Sequence, residues 1–451
     1  MTNKKFKLAA MSLATAVAVS TVGPSASAVT YYLGNGDITV DQDDTRGAFS
    51  YQGEDQGDKN RTYVNEDKAD KGTIYVKDGN APKEEVPSTT DNSNNGTEVP
   101  TPTDHTTDSS ADNTKNSSTS ETTTTNTITV KEDVKDATIV VDGVNVDTTS
   151  TPTEVPADTK EDKTIIKVGE GADVDLTVRD SNLTTGGNGI DIGVNLEGED
   201  ENKETNVDLT LDNTQINLTQ NGKAGINVQD NSDVDLTLKG ENVIDGSKAI
   251  ENEKENILKN NVNVEGIRVG DGGASDGSGT SEGADTKLTI SGGVEKTETA
   301  ETDTEETESP AGGSLTISDT TGGLVMADGS DVGITDGADV TIKDTKTSGA
   351  GQAGRAVTQH GDLTISGGSS LTIDGVEDNN APHTGIGIAS WDEITVEGGS
   401  TLDISGATTG IYGHQGSDAS LTVEDSKLNI SGRSFGIKYE GAGEDKEGNV
   451  L

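Results

Sequence analysis

The sequence predicts an all-β protein, a β-solenoid of about 8–10 stacked coils with disordered insertions. Three observations carry the prediction. A phrase recurs: Leu-Thr-Val/Leu/Ile, an apolar residue seven or eight positions on, then Gly-Ile. It reads Leu176-Thr177-Val178, Leu183, Gly189-Ile190, and returns from Leu209, Leu363, Ile394 and Leu421 with Gly225-Ile226, Gly385-Ile386, Gly410-Ile411 and Gly436-Ile437. Apolar residues are 28% and aromatics 2%, too little for several ordinary cores. A solenoid needs only a thin inner stack, because neighbouring coils bury one another's faces. Finally, the strands alternate strictly: in Val174-Asp175-Leu176-Thr177-Val178 the apolar residues share one side.

The elements follow in order. Lys4, Lys5 and Lys7 precede the apolar stretch Leu8 to Val22, and Ala26-Ser27-Ala28 is an A-x-A cleavage site. Residues 1–28 therefore read as a secretory signal peptide, which places the protein outside the cell, free or associated with the cell surface. Residues 29–85 hold short strand-like pieces and read as an N-terminal cap or irregular first coil. Residues 86–126, rich in Thr, Ser, Asn and Asp, are expected to be disordered, as a linker or as an insertion within one coil. The β-helix is expected over 127–440, with first-strand anchors at 176, 209, 236, 288, 340, 363, 394 and 421. A degenerate coil is expected around Val262 to Val269. Leu288-Thr289-Ile290 and Leu315-Thr316-Ile317 read as two strands of one coil, separated by a disordered acidic loop over 294–313. Residues 441–451 form a tail that reads as truncated, with no sorting motif or hydrophobic anchor.

The formal charge is −48, and loss of three signal lysines makes the mature chain 30 − 81 = −51. A polyanion repels nucleic acid and anionic lipid, so neither is an expected partner. No stretch after the signal is apolar and long enough to span a membrane. Cysteine is absent, so neither disulfides nor thiolate metal sites hold the fold. The charge keeps a β-solenoid soluble and favours a monomer.

Stacked strands build outward columns. One is expected to be threonine: Thr177, Thr210, Thr237, Thr289, Thr341, Thr364, Thr395 and Thr422. Another is acidic, Asp175, Asp208, Asp235, Asp339, Asp362 and Glu393, with Lys287 and Ser420 as exceptions. Parallel strands lie about 4.8 Å apart, and carboxylates at that spacing repel unless protonated or bridged by a cation. Asp175, Asp208 and Asp235 are therefore candidate Ca²⁺ ligands, against the alternative of solvated side chains; no other cofactor is expected.

The last coils concentrate aromatics and histidines. Position two after the Gly-Ile (or Ala-Val) start gives Thr358, Tyr412 and Lys438, with His360, Trp391, His414 and Tyr439 close by. Exposed rings with polar neighbours suit stacking on pyranose rings, so Trp391, Tyr412, His414, Lys438, Tyr439 and His360 are candidate carbohydrate ligands. The alternative is that Trp391 and Tyr439 cover turns between coils. Catalytic chemistry finds less support. Arg179, Arg268, Arg355 and Arg433 fall in different coils, and His360, His383 and His414 lack metal-ligand spacing.

Thr138-Ile139-Val140-Val141-Asp142-Gly143-Val144-Asn145-Val146-Asp147, the run from Val234 to Ile244, and Asp362-Leu363-Thr364-Ile365-Ser366-Gly367-Gly368 resemble secreted surface proteins of bacteria, chiefly Gram-positive, with pectate-lyase-like right-handed β-helix repeats. The resemblance implies a right-handed parallel β-helix and extracellular binding of a polysaccharide, such as a host or cell-wall glycan, or adhesion without catalysis. A Ca²⁺-dependent polysaccharide lyase and a purely structural spacer are the rival expectations.

Overall fold

The computed structural model describes residues 29–43, 48–51, 73–78, 123–149, 164–196, 203–253, 262–270, 285–293, 312–347, 354–377, 385–414 and 417–440. They form a right-handed parallel β-helix. A full coil is three strands in fixed order. In one coil Asp173–Arg179 lies on a first face, Asn182–Thr185 on a second and Ile190–Val194 on a third. Each pairs in parallel one coil on: Leu176 with Leu209, Leu183 with Ile216, Ile190 with Ile226. The first face is an 11-stranded sheet from Val29–Tyr32 to Ser420–Val423. The second and third faces merge where Thr401–Gly413 and Lys427–Tyr439 run unbroken around the corner between them.

The core is a set of columns. On the third face one runs from Ile38 through Ile190, Ile226 and Ile267 to Ile437. Ile190, Ile226 and Ile267 are each 0% exposed, covered above and below by their own counterparts. Burying such a side chain contributes about 1.5–3 kcal/mol, so a thin column suffices for each coil.

The Gly-Ile phrase has a steric cause. A Cβ on Gly225 would stand 2.5 Å from Ile244 Cγ2 and 2.8 Å from the Gly266 carbonyl oxygen. On Gly410 it would stand 2.2 Å from Ile430 Cγ2 and 2.5 Å from the Gly436 oxygen. At this corner the second-face isoleucine presses on the start of the third strand, leaving no room for a side chain. The turns have their own chemistry. Among the described residues nine non-glycine residues adopt positive φ, seven Asp and two Asn, among them Asp180 (47°) and Asn213 (51°) between the first and second faces. Asp and Asn tolerate this region better than other side chains, so part of the acidity belongs to turn geometry.

Several expectations are corrected. The strands at Val29–Tyr32, Ile38–Asp43, Ile74–Lys77 and Ile128–Val130 pair in parallel within the same sheets, so of the two readings of 29–85 the first-coil one fits, and among the described residues the β-helix starts at Val29, ahead of the expected 127. Residues 86–126 fall between strands of a single coil; of these only 123–126 lie within the described residues. Val264–Val269 is not a degenerate coil. It is the third strand of the coil begun by Ser232–Lys239, delayed by a helix at Ser247–Asn252. Thr286–Gly292 and Ser314–Ser318 do form the first and second strands of one coil. The signal peptide and residues 294–311 and 441–451 lie outside the described residues.

The columns also shift. Val340 sits on the second face beside Leu315 and Leu371, and the first-face strand of that coil is Ser330–Thr335. Leu236 pairs with Ile290 rather than Leu288, a two-residue offset that preserves which side chains face inward. The threonine column therefore runs Thr177, Thr210, Thr237 and then Ser291, while Thr289 stands beside Asp235. Thr341 is on the second face with Thr316 and Thr372, and Asp339 goes with it. In Gly385-Ile386-Gly387-Ile388 the register takes the second pair, since Ile388 meets Ile411.

Candidate functional site

Asp175, Asp208 and Asp235 stand in register on the outer side of the first face, all three exposed. Asp362, Glu393, Lys287 and Ser420 belong instead to the column two residues earlier, with Asp233 and Asp331. Partial burial, then the charges of Asp175 and Asp235, push the Asp208 carboxyl above its ordinary value. The next column behaves differently. Lys77, Asp142, Arg179, Asp212 and Lys239 follow one another in register and alternate in sign. Arg179 closes on Asp142 through two 3.0 Å hydrogen bonds, Nε to Oδ1 and a terminal nitrogen to Oδ2. That bidentate pair holds Asp142 below the usual carboxylate range. One column is neutralised by its own sequence and the other is not. Among the described residues no three acids or histidines converge on a point that could hold a metal ion. A flat strand surface offers a cation oxygens from one side alone, so the strand geometry at Asp175, Asp208 and Asp235 does not build an enclosed site.

The aromatic cluster is built by the β-ladder itself. On the third face the ladder continues one residue past each strand: Trp391 N–H donates to Gln359 O, His414 N–H to Ser390 O and Glu440 N–H to Gly413 O, each at 3.0 Å. His360, Trp391, His414 and Glu440 are thereby stacked one per coil. The ring centroids are 4.0 Å apart for His360 and Trp391 with planes at 15°, and 3.6 Å for Trp391 and His414 at 11°. Each such contact contributes about 0.5–1.5 kcal/mol beyond area burial. Both faces of Trp391 are therefore covered by histidines. A pyranose ring cannot stack there, and Trp391 offers a ligand its edge.

The neighbouring outward column is Thr358, Ala389, Tyr412 and Lys438. Tyr412 meets His414 edge-on at 4.6 Å. Lys438 Nζ lies 5.0 Å from the Tyr412 ring centre and 5.8 Å from that of Phe435, and donates to Glu440 Oε1 at 3.2 Å. Burial, then the hydrogen bond its hydroxyl gives Glu440, push Tyr412 up to about 12. The same hydrogen bond and that from Lys438 hold Glu440 below the usual range. Burial lowers both histidines, His414 to about 4 with help from the Arg355 charge, so the stack is neutral at pH 7.

Tyr439 does not join the outward group. It stands in the inward column after Gln359, Ser390 and Gly413, its ring against Gly413, where a Cβ would stand 2.1 Å from Tyr439 Cδ1. Two participants escape the sequence reading as site residues. Arg355, at the start of a third-face strand, carries its guanidinium carbon 5.5 Å from the Trp391 ring centre. Phe435 is 47% exposed beside Lys438. Of the other arginines weighed, Arg179 is tied to Asp142 and Arg268 to the buried Glu265, Arg433 is exposed, and His383 lies outside the described residues.

No protein-family model, curated protein or solved structure matches this chain. The chemistry of the cluster therefore rests on its own geometry: two outward rings, Tyr412 and Phe435, with a lysine between them and a carboxylate alongside. No helix among the described residues is long and apolar enough to cross a membrane.

Proposed function

We propose that this protein is a secreted, non-catalytic surface β-helix that binds an extracellular glycan through the outer third face of its last coils. The supporting observation is the placement of Tyr412, Lys438 and Phe435 side by side on the outside of a chain only 2% aromatic. A sugar ring lies on the exposed Phe435 ring and against the half-buried Tyr412 ring, while Lys438 and Glu440 meet its hydroxyls. The His360–Trp391–His414 stack sets the spacing beneath and does not itself take a sugar face.

The test is retention of the mature chain on a panel of insoluble polysaccharides and a glycan array. Tyr412→Ala combined with Phe435→Ala is expected to lower retention at least tenfold with the fold intact. Retention equal to that of the native chain would sink the assignment. Unsaturated uronide products appearing from polygalacturonate would replace binding with lyase chemistry.

A further inference from the structure

His414 is tied into the last coils through both its backbone and its ring. Its N–H donates to Ser390 O at 3.0 Å and its carbonyl accepts from Ser417 Oγ at 2.6 Å, so the main chain is held on both sides. Trp391, from the preceding coil, covers one face of the imidazole at 3.6 Å. Tyr412 meets the same ring edge-on at 4.6 Å, with the planes at 85°. His414 is therefore the side chain that joins the covered stack to the outward ring beside Lys438.

One atom of this ring suits a neutral imidazole and not a charged one. His414 Nε2 is buried and has no hydrogen-bond partner. As a lone pair it forgoes one hydrogen bond; as an N–H of an imidazolium it would be a buried, charged donor with no acceptor, which costs more. The surrounding charges add to that cost. Arg355 brings its guanidinium carbon 5.5 Å from the Trp391 ring centre, His360 titrates on the far side of the same indole, and Lys438 Nζ lies 5.0 Å from the Tyr412 ring centre. Glu440 opposes them, but its carboxylate already accepts from Lys438 and from the Tyr412 hydroxyl.

We infer, on the glycan reading above, that His414 is a positioning residue whose neutral ring braces Tyr412 for the ligand, so that taking up a proton releases the bound polysaccharide. The protonated ring leaves Trp391 for solvent and for Glu440. Glu440 is also the partner of the Tyr412 hydroxyl, so one proton disturbs both a ring and a carboxylate that meet the sugar. The neutral form is the binding form. Burial and Arg355 keep the ring neutral down to about 4, so the surface is complete at pH 7 and affinity falls as pH drops through that value. Glu440, held below the usual carboxylate range, stays charged where His414 begins to titrate.

Retention on insoluble cellulose, chitin and xylan between pH 7 and pH 3.5 tests the inference, each variant being compared with its own value at pH 7. The native chain should lose about fourfold by pH 3.5, and His414→Phe, which keeps a flat ring on Trp391 without a titrating nitrogen, should not. At pH 7 His414→Ala should lower retention several-fold and His414→Phe should recover most of it. Trp391 emission read without polysaccharide should shift near pH 4 in the native chain and stay constant in His414→Phe. Parallel loss of retention in the native chain and His414→Phe overturns acid release while leaving the glycan reading standing. Native Trp391 emission that does not move down to pH 3.5 overturns it as well. A panel that retains nothing at pH 7 removes the glycan reading itself, and acid release with it.

Discussion

Trp391 and His414 stack at 3.6 Å with their planes 11° from parallel, because the ladder bond from His414 N–H to Ser390 O sets one residue directly above the other. With His360 on the opposite side, the arrangement converts a tryptophan that the sequence offers to a sugar into the middle of a half-buried stack. A titratable ring is thereby held neutral on the outer side of the last coils, and pH should report on it.

His414 falls from its ordinary 6.5 to about 4 through burial, the charge of Arg355 and that of His360, opposed by Glu440. The unfolded chain takes up this proton at the higher pH. Stability from the neutral stack is therefore complete above about 6.5 and is lost as pH falls toward about 4. Hydrogen exchange at pH 7 and pH 4.5, corrected for intrinsic rates, should show the last coils loosening. His414→Phe should remove most of that pH dependence.

Asp208 has the opposite sign. Its folded carboxyl holds a proton to higher pH than the ordinary 3.8, through burial and then its neighbours Asp175 and Asp235. The column costs stability at neutral pH, and the cost fades as pH falls through the raised value. Asp208→Asn should raise the melting midpoint at pH 7, by the equivalent of about 0.2–1 kcal/mol, and change little at pH 3. An equal gain at both pH values would contradict the electrostatic origin.

Gly225→Val should destabilise the chain by at least about 1–3 kcal/mol, since the new side chain meets both Ile244 and the Gly266 carbonyl. Gly143 provides the control for space: nothing lies within 4 Å of its Cβ position, and the cost there comes from φ of +64° alone. Gly143→Asn should therefore be tolerated in urea unfolding where Gly225→Val is not.

Asn213→Gly should be nearly neutral and Asn213→Val costly by about 1–2 kcal/mol, because φ is 51° at this turn. Circular dichroism melts of the two variants compare the same site with and without the left-handed penalty.

Inward residues were legible in the sequence because period-2 alternation survives any two-residue slip; Val174, Leu176 and Val178 face the core as read. Register between coils was less legible for the same reason. Leu288-Thr289-Ile290 looks like Leu236-Thr237-Leu238, yet Ile290, not Leu288, meets Leu236. Which face a Leu-Thr-Val phrase occupies was also hidden, as Val340 shows, because first-face and second-face strands share one composition. The late cluster was visible as a concentration of ring residues. That Trp391 would be covered on both faces, with Arg355 reaching it from an earlier coil, depends on alignment across three coils.

Trp391 is the single tryptophan of the chain, so its fluorescence reads the proposed ligand surface without labelling. Titration with a polysaccharide that retains the protein should change its emission saturably, and Tyr412→Ala should abolish the change while His360 and His414 still hold the ring. Retention of the protein on the polysaccharide with no change in Trp391 emission would place the ligand elsewhere on the β-helix.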